Sequence, residues 1–300
     1  MHVRSSASGL EVLAPAKLNL FLEVLGKRPD GFHEIETLMA PIGLYDTLYF
    51  QDERSGKIDL FCEQVGSEPP ADSGEELPGG SQNIVFRAVD LLRRRYAASR
   101  GARVRLIKRI PLAAGLAGGS SDAAAALVAA NRCWELDLPK HVLASMASEL
   151  GSDVPFFLES GPAICRGRGE RIERVAGLGA LSFVVVRPPA GLSTAEVYRV
   201  CRPAAQPRSA LALVESLQGG KLHQAGRWLH NALQAAAEQL SPWIVRMKQE
   251  FSRLDCLGHQ MSGSGTSYFA LARHFRHAQR LAARLEGRSL GRIYVVRGAY

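Results

Sequence analysis

The sequence predicts an α+β protein, because strands and helices are mixed in it without a regular alternation of the two. Some segments alternate apolar and polar residues, which is the period of a strand. Others repeat apolar residues every three or four positions, which is the period of a helix. No unit of strand and helix recurs along the 300 residues. That length is enough for one large domain or two smaller ones.

The first half of the chain is predicted to begin with strands. Loose alternation from Leu13 to Leu25 ends at Gly26 and predicts the first of them. Strands of this half are predicted at 13–25, 42–50, 58–65 and 103–109. Helices are predicted at 83–100, 121–131 and 139–150. Residues 66–82 are rich in proline, glycine, serine and acidic side chains, which predicts a long exposed loop.

The second half is predicted to mix short strands with helices, after a subdomain boundary between residues 150 and 180. Its strands are predicted at 162–166, 171–175, 182–187, 266–272 and 292–297. Its helices are predicted at 208–217, 227–240, 242–251 and 275–286. Pro242 suits the first turn of its helix, where a missing N–H does no harm.

Composition and charge exclude several classes of protein. The chain has no run of about 18 apolar residues, so no membrane span is expected, and its first ten residues lack the apolar core of a signal peptide. A cytoplasmic location is therefore expected. Five scattered cysteines without a C-x-x-C pair favour neither a disulfide framework nor a zinc site.

The basic charge leaves a nucleic-acid function open. There are 37 lysines and arginines against 29 acids, a net charge of +8. Arginines at 273, 276, 280 and 284 recur at helical spacing and predict a solvated helix face. A surface for nucleic acid or another anionic partner is the alternative.

The most informative stretch is PLAAGLAGGSSDAA, residues 111–124. A predicted strand leads into it and an alanine-rich helix follows it. Its glycines permit positive φ angles and close backbone approach, and Ser120 or Ser121 is expected to cap the helix. The N–H groups and the positive end of the helix dipole would then face the loop, an arrangement that binds phosphate. Close helix packing is the alternative explanation of the glycines.

Three further stretches carry polar residues among apolar ones. Lys17 and Asn19 project from one face of a predicted strand, where they need either solvent or a partner. Asp153 precedes the apolar run Val154–Phe157, so it is either a helix cap or a functional carboxylate. The segment 261–270, MSGSGTSYFA, is a second small-residue loop that either cradles phosphate or forms a turn.

Together these stretches resemble the GHMP kinase superfamily, over about residues 13–270. The resemblance implies a two-lobed α+β fold, with an amino-terminal lobe like ribosomal protein S5 domain 2 at 1–165 and a carboxy-terminal α/β lobe at 166–300. Within the family, PAKLNLFLEVLGKRPDGFHEIET with GSDVPFF is similar to kinases that phosphorylate the 2-hydroxyl of a cytidyl diphosphate sugar alcohol, in the non-mevalonate route to isoprenoid precursors. Homoserine and mevalonate kinases share the glycine loop but not the first segment.

The resemblance also implies roles for individual residues. Asp153 matches the catalytic carboxylate and Lys17 the lysine paired with it. ATP with Mg²⁺ is the expected co-substrate, no tightly bound cofactor is expected, and the family pattern names no carboxylate ligand for the metal. The ATP-binding residues implied are Pro111, Leu112, Ala113, Ala114, Gly115, Leu116, Ala117, Gly118, Gly119, Ser120 and Ser121 of the loop, with Lys108, Asn83 and Ile84. Of these, Lys108, Leu112, Asn83 and Ile84 match positions that flank adenine.

For the cytidyl substrate, the resemblance implies binding by Asn19, Phe32, His33, Thr194 and Tyr198. The family's usual residue before the histidine is tyrosine, and Phe32 keeps its ring but not its hydroxyl. The expected partner is a small molecule, without nucleic acid or membrane, and the expected assembly is a monomer or homodimer. The alternatives are another small-molecule GHMP kinase and a basic, S5-like RNA-binding protein.

Overall fold

The computed structural model describes residues 1–6, 9–65 and 79–300. Strands in this part of the chain are β1 His2–Ser6, β2 Gly9–Lys27, β3 His33–Glu53, β4 Ile58–Gln64, β5 Gly101–Lys108, β6 Ala163–Gly167, β7 Arg171–Arg174, β8 Ser182–Arg187, β9 His230–Asn231, β10 Gly258–Met261, β11 Tyr268–Ala272 and β12 Arg292–Arg297. Helices are α1 Ile84–Tyr96, α2 Gly118–Cys133, α3 Lys140–Leu150, α4 Thr194–Val200, α5 Leu211–Gln218, α6 Leu222–Trp228, α7 Gln234–Leu240, α8 Pro242–Ser252 and α9 Phe275–Leu285. Short 3-10 helices lie at Gly80–Gln82 and Pro155–Leu158.

Contacts divide the chain into two compact units, each with residues from several parts of the sequence. The first unit is Met1–Ala16, Leu44–Leu112 and Ala117–Ser160. The second is Lys17–Gly43, Ala113–Leu116 and Gly161–Tyr300. The division of this chain into contiguous lobes at 1–165 and 166–300 stays a prediction.

The first unit packs three helices with a sheet. β3 pairs antiparallel with β5, and β5 pairs parallel with β4, with Ile58 opposite Ala102. α2 packs against both α1 and α3. Its alanines from Ala123 to Ala126 are fully buried, and such small side chains let neighbouring helices approach closely. This packing fixes the start of α2, where the glycine loop ends.

The second unit is built on a four-stranded antiparallel sheet in the order β10-β11-β8-β12. The central strand β8, SFVVVR, is buried along its whole length. Val184 and Val186 pack in one core with Met247 and Phe251 of α8 and Leu281 of α9. Burying each such side chain contributes roughly 1.5–3 kcal/mol. This core supports the strands and loops that carry the polar residues of the unit.

Most of the predicted elements are present, and the differences have local causes. The predicted helix 227–240 is wrong, because α6 ends at Trp228 and the two residues of β9 pair with β2 before α7 begins at Gln234. β3 begins at His33 rather than 42, and β1 and β10 were not predicted. Of the predicted loop 66–82, residues 66–78 lie outside the described residues.

The arginine face is largely as predicted. Arg276, Arg280 and Arg284 are exposed on α9, whereas Arg273 precedes the helix and pairs with Asp255 at 2.9 Å.

None of the helices described here is both long enough and apolar enough to cross a bilayer.

Candidate active site

The glycine-rich loop between β5 and α2 has an unusual backbone. Three alternate residues, Ala113, Gly115 and Ala117, have positive φ angles of 45°, 70° and 53°. A non-glycine residue held in this region costs roughly 1–3 kcal/mol, and such strain is concentrated at functional sites. Left-handed residues between right-handed ones turn successive N–H groups toward one concave side, which is how backbone nests bind anions.

The helix after this loop begins earlier than predicted, and its cap differs. α2 starts at Gly118 with Ala117 as the N-cap residue, and no side chain caps it. The prediction that Ser120 or Ser121 caps the helix is wrong, because both lie inside the first turn, where the N–H of Ser121 already donates to the carbonyl of Ala117 at 3.0 Å. The first N–H groups of a helix have no intrahelical acceptor, so this terminus suits an anion.

The two glycines at the start of α2 differ in their surroundings. A Cβ on Gly118 would lie 2.9 Å from Cγ2 of Ile110 and 3.1 Å from Nζ of Lys108. Among the described residues, a Cβ on the exposed Gly119 would meet only Cγ2 of Ile84, at 3.8 Å. Gly118 is therefore required by the packing of the protein itself, whereas at Gly119 none of the described atoms excludes a side chain.

Lys17 has a fixed place in the second unit. It is 3% exposed, and its ammonium donates to Oδ1 of Asn19 and, at 2.9 Å, to the carbonyl of Gly115. Asn19 in turn donates to Oγ1 of Thr37 at 2.8 Å, and that hydroxyl donates to the carbonyl of Phe21 at 2.6 Å. This chain of hydrogen bonds orients a buried cation beside the glycine loop.

The second small-residue loop, between β10 and β11, supports the first. The hydroxyl of Ser262 donates to the carbonyl of Gly115 at 3.0 Å, and the N–H of Ser267 donates to the carbonyl of Ala114 at 3.1 Å. A Cβ on Gly263 would lie 3.2 Å from the Lys17 ammonium. Of the two readings of residues 261–270, the contacts favour a turn that buttresses the glycine loop and packs on Lys17.

Asp153 lies in the first unit, in the turn between α3 and the 3-10 helix Pro155–Leu158. It is half-buried, and the N-cap residue of that helix is Val154, not Asp153. The reading of Asp153 as that helix's cap is therefore not supported.

The residues predicted beside adenine all lie in the first unit and have structural contacts of their own. Oδ1 of Asn83 caps α1 by accepting from the N–H of Val85 at 2.9 Å. The ammonium of Lys108 is buried between two carboxylates, those of Asp46 and Asp122. Ile84 borders Gly119 at the start of α2. The adenine-binding roles of these residues stay predictions.

The residues predicted to bind the cytidyl group lie in the second unit. The rings of His33 and Tyr198 are 5.1 Å apart and tilted by 33°. Phe32 is 50% exposed, and the guanidinium of Arg168 lies 4.8 Å from its ring centre. Burial first, and Lys27 second, lower the pKa of His33 below its ordinary value, so its ring is neutral at pH 7. Oγ1 of Thr194 is 2.8 Å from Oγ of Ser264 in the second loop.

Sequence reasoning missed several residues that shape this site. Thr37 continues the hydrogen-bond chain from Lys17 and Asn19 to the carbonyl of Phe21, and Ser262 joins the two loops. The amide of Asn231 on β9 holds the second loop by donating to the carbonyls of Met261 and Gly263 at 2.8 and 2.9 Å. The groups that Thr37, Ser262 and Asn231 contact lie far from them in the sequence, so local patterns do not reveal these contacts. The one available signal for Thr37 and Asn231 is a polar residue within an apolar segment.

Comparisons with known proteins agree with this fold and these loops. The GHMP kinases N terminal domain matches residues 83–161, and the GHMP kinases C terminal domain matches residues 212–289. The chain is thus a GHMP kinase, and the α+β fold predicted from the sequence is confirmed. The matched ranges fall inside the two predicted lobes.

Closer relatives define the branch. The chain is 43% identical over 277 residues to a protein of Pelotomaculum thermopropionicum named 4-diphosphocytidyl-2-C-methyl-D-erythritol kinase, with 92% of this chain and 93% of the relative covered. A crystal structure of 4-(cytidine 5'-diphospho)-2C-methyl-D-erythritol kinase matches with a TM-score of 0.79 at 36% identity, covering 97% of this chain and all of the other. The chain belongs to the 4-diphosphocytidyl-2-C-methyl-D-erythritol kinase family, and the resemblance inferred from its motifs is confirmed.

More distant structures share the fold alone. A homoserine kinase from Cytophaga hutchinsonii matches with a TM-score of 0.73 at 20% identity, covering 99% of this chain and 96% of that one.

Membership of the family also gives the co-substrate. GHMP kinases use ATP, so this chain is an ATP-dependent kinase.

Proposed function

We propose that the chain transfers the γ-phosphoryl group of ATP to the 2-hydroxyl of 4-diphosphocytidyl-2-C-methyl-D-erythritol, in the non-mevalonate pathway to isoprenoid precursors. The observation that supports this most is the buried Lys17 ammonium, 2.9 Å from the carbonyl of Gly115 in a loop whose helix has no side-chain cap. A buried cation bonded to the glycine loop suits phosphoryl transfer, because that reaction is catalysed mainly by positioning and charge stabilisation.

In this proposal Asp153 orients the attacking hydroxyl and accepts its proton, whereas Lys17 stabilises charge on the transferring group. The backbone from Gly115 to Ser121 binds the triphosphate. Mg²⁺ would neutralise the phosphate oxygens. Among the described residues no three or more His, Cys, Asp or Glu side chains are grouped to hold a metal.

A comparison of acceptors tests the function directly. ADP release should be fast with the cytidyl substrate and at background with mevalonate or homoserine at the same concentration. Equal rates with mevalonate or homoserine would favour another small-molecule GHMP kinase. Failure to bind ATP, together with RNA binding that weakens steeply with salt, would favour the RNA-binding alternative.

We propose a cytoplasmic monomer or homodimer, and light scattering on the purified protein decides between these two states.

The glycine loop gives a test of ATP binding. Replacing the exposed Gly119 with valine places two methyl groups where, of the atoms that the structure describes, only Cγ2 of Ile84 is near, at 3.8 Å from the Cβ, so we expect the fold to tolerate the change. We expect the KM for ATP to rise at least tenfold and the KM for the acceptor to stay within twofold, because the side chain blocks backbone approach to the triphosphate. G119A should show a smaller rise. An unchanged ATP affinity by calorimetry on folded G119V would make the loop purely structural.

The ring of Tyr198 gives a test of the cytidyl site. We propose that Phe32 and Tyr198 stack on cytosine while the neutral His33 reads the edge of the base and Asn19 contacts the substrate, with Thr194 at the start of α4. Tyr198→Ala should raise the KM for the cytidyl substrate roughly tenfold to a hundredfold, because a base–aromatic stack is worth about 1–3 kcal/mol. The KM for ATP should hardly change. The conservative control F32Y, which keeps the ring and restores the family's hydroxyl, should be nearly neutral, and equal weakening of both substrates by Y198A would contradict the stacking.

A further inference from the structure

Three ionisable side chains form a fully buried cluster in the first unit, here called the carboxylate–lysine triad: Asp46 of β3, Lys108 at the end of β5 and Asp122 of α2. Their exposed fractions are 0%, 2% and 1%. The ammonium of Lys108 donates to Oδ2 of Asp46 and, at 2.6 Å, to Oδ2 of Asp122. The triad therefore ties two strands to the helix that follows the glycine loop.

Asp46 also holds the start of the loop itself. Its second oxygen, Oδ1, accepts from the N–H groups of Arg109 at 2.5 Å and Ile110 at 2.8 Å. These are the first two residues after β5, where the chain leaves the sheet. A carboxylate that accepts two backbone donors and one ammonium fixes both the direction of the loop and the neighbouring lysine.

One of the two carboxyl groups of the triad, that of Asp122, is protonated at neutral pH. Two ionised carboxylates with one ammonium would leave a negative charge in the interior, which is costly. Burial raises the pKa of the Asp122 carboxyl to about 8; the Lys108 ammonium opposes this rise, and the Asp46 carboxylate adds to it. Burial alone would lower the pKa of Lys108, but the two carboxylates outweigh it and the pKa is raised. At pH 7 the Lys108 amine is thus charged and the Asp122 carboxyl is neutral.

We propose that Asp46 is a positioning residue for nucleotide binding: through Arg109, Ile110 and the Lys108–Asp122 link, it holds the two ends of the glycine loop in the geometry that receives the triphosphate. The inference rests on the proposed function, since it takes the loop as the ATP site. In this proposal the Lys108 ammonium binds the carboxylates of Asp46 and Asp122 and does not contact the edge of adenine.

The variant Asp46→Asn tests the proposal. An amide would turn its NH₂ group toward the Lys108 ammonium or toward the two loop N–H groups, so one set of contacts is lost in either orientation. We expect the Kd for ATP by calorimetry and the KM for ATP to rise at least tenfold. The kcat at saturating ATP should stay within about threefold, and the KM of the cytidyl substrate within twofold.

The matched control is Asp52→Asn, the same chemical change six residues further along β3. Asp52 is exposed and forms a surface ion pair with Arg100 at 2.6 Å, so its loss should leave both KM values unchanged. ATP binding by D46N as tight as that of the unaltered protein would overturn the proposal, and so would equal rises in the KM of ATP and of the acceptor. If the unaltered chain neither binds ATP nor phosphorylates the acceptor, the proposed function fails instead.

A pH profile keeps the proposal testable if D46N does not fold. The titratable groups facing Asp122 are Lys108, Asp46 and the thiol of Cys62 on β4, whose pKa is raised first by burial and then by Asp122. Above about pH 8 the Asp122 carboxyl ionises, which adds a negative charge beside the loop, so the KM for ATP should rise several-fold by pH 9. In Asp122→Asn that rise should disappear, and in the control C62S it should persist. A flat profile in the unaltered protein, or the same rise in D122N, would overturn the proposal.

Discussion

Asp153→Asn is expected to lower kcat by a factor of about 10²–10⁴, which is the usual contribution of a positioned general base. The amide keeps the size of the side chain but can neither accept the proton of the acceptor hydroxyl nor carry the negative charge. Because Asp153 is proposed to act on the acceptor and not on the nucleotide, the Kd for ATP should stay within a few-fold. Single-turnover kinetics with both substrates saturating measure the effect without contributions from binding.

The control for this variant is Asp137→Asn, in an exposed loop of the same unit. Asp137 has a φ of 48°, a backbone conformation that asparagine tolerates as well as aspartate does, so activity and thermal stability should be unaffected. If D153N kept more than about a third of the unaltered rate, Asp153 would be a structural carboxylate, and the catalytic base would have to be sought elsewhere.

The parts of the site carried by contiguous residues could be predicted from the sequence. Residues 111–124 contain both the strand-to-helix turn and the glycines, so a phosphate loop follows from local rules alone. The cap could not be predicted in the same way. Ser120 and Ser121 have the right side chains, but the strained backbone at Ala117 starts the helix sooner, and a left-handed alanine leaves no local signal.

Long-range pairing explains the remaining differences. The helix predicted at 227–240 is interrupted because His230 and Asn231 pair with Phe21 and Leu22, residues about 200 positions earlier. The triad likewise joins Asp46 to residues 62 and 76 positions away. Side chains that find partners so distant in sequence resemble ordinary surface charges until the fold is known.

The same point applies to Asn19, which was predicted as a contact of the substrate. In the structure its amide accepts from Lys17 and donates to Thr37, so orienting the lysine is a role that it already has. The face of the strand was predicted correctly, because residues two apart in a strand project to the same side. The partners of Lys17 and Asn19 on that face could not be predicted, because Thr37 of β3 and the carbonyl of Gly115 come from distant parts of the chain.

The charge on Lys17 has its own test in Lys17→Met, which keeps the length of the side chain and removes the cation. We expect kcat to fall by about 10²–10³, the usual cost of removing one group that stabilises charge in the transition state. The change also leaves the buried acceptors Oδ1 of Asn19 and the carbonyl of Gly115 without their lysine donor, at about 1–3 kcal/mol of stability. Slower turnover alone would therefore not separate catalysis from damage to the fold.

Thr37→Val makes that separation, because it breaks the same hydrogen-bond chain at its other end. The valine removes the Thr37 acceptor from the amide of Asn19 and the Thr37 donor from the carbonyl of Phe21, so the loss of thermal stability should be similar. The Lys17 ammonium stays in place, and kcat should fall less than about tenfold. Equal losses of turnover in T37V and K17M would show that Lys17 acts by supporting the loop. A loss confined to K17M would assign its positive charge to the transferring phosphoryl group.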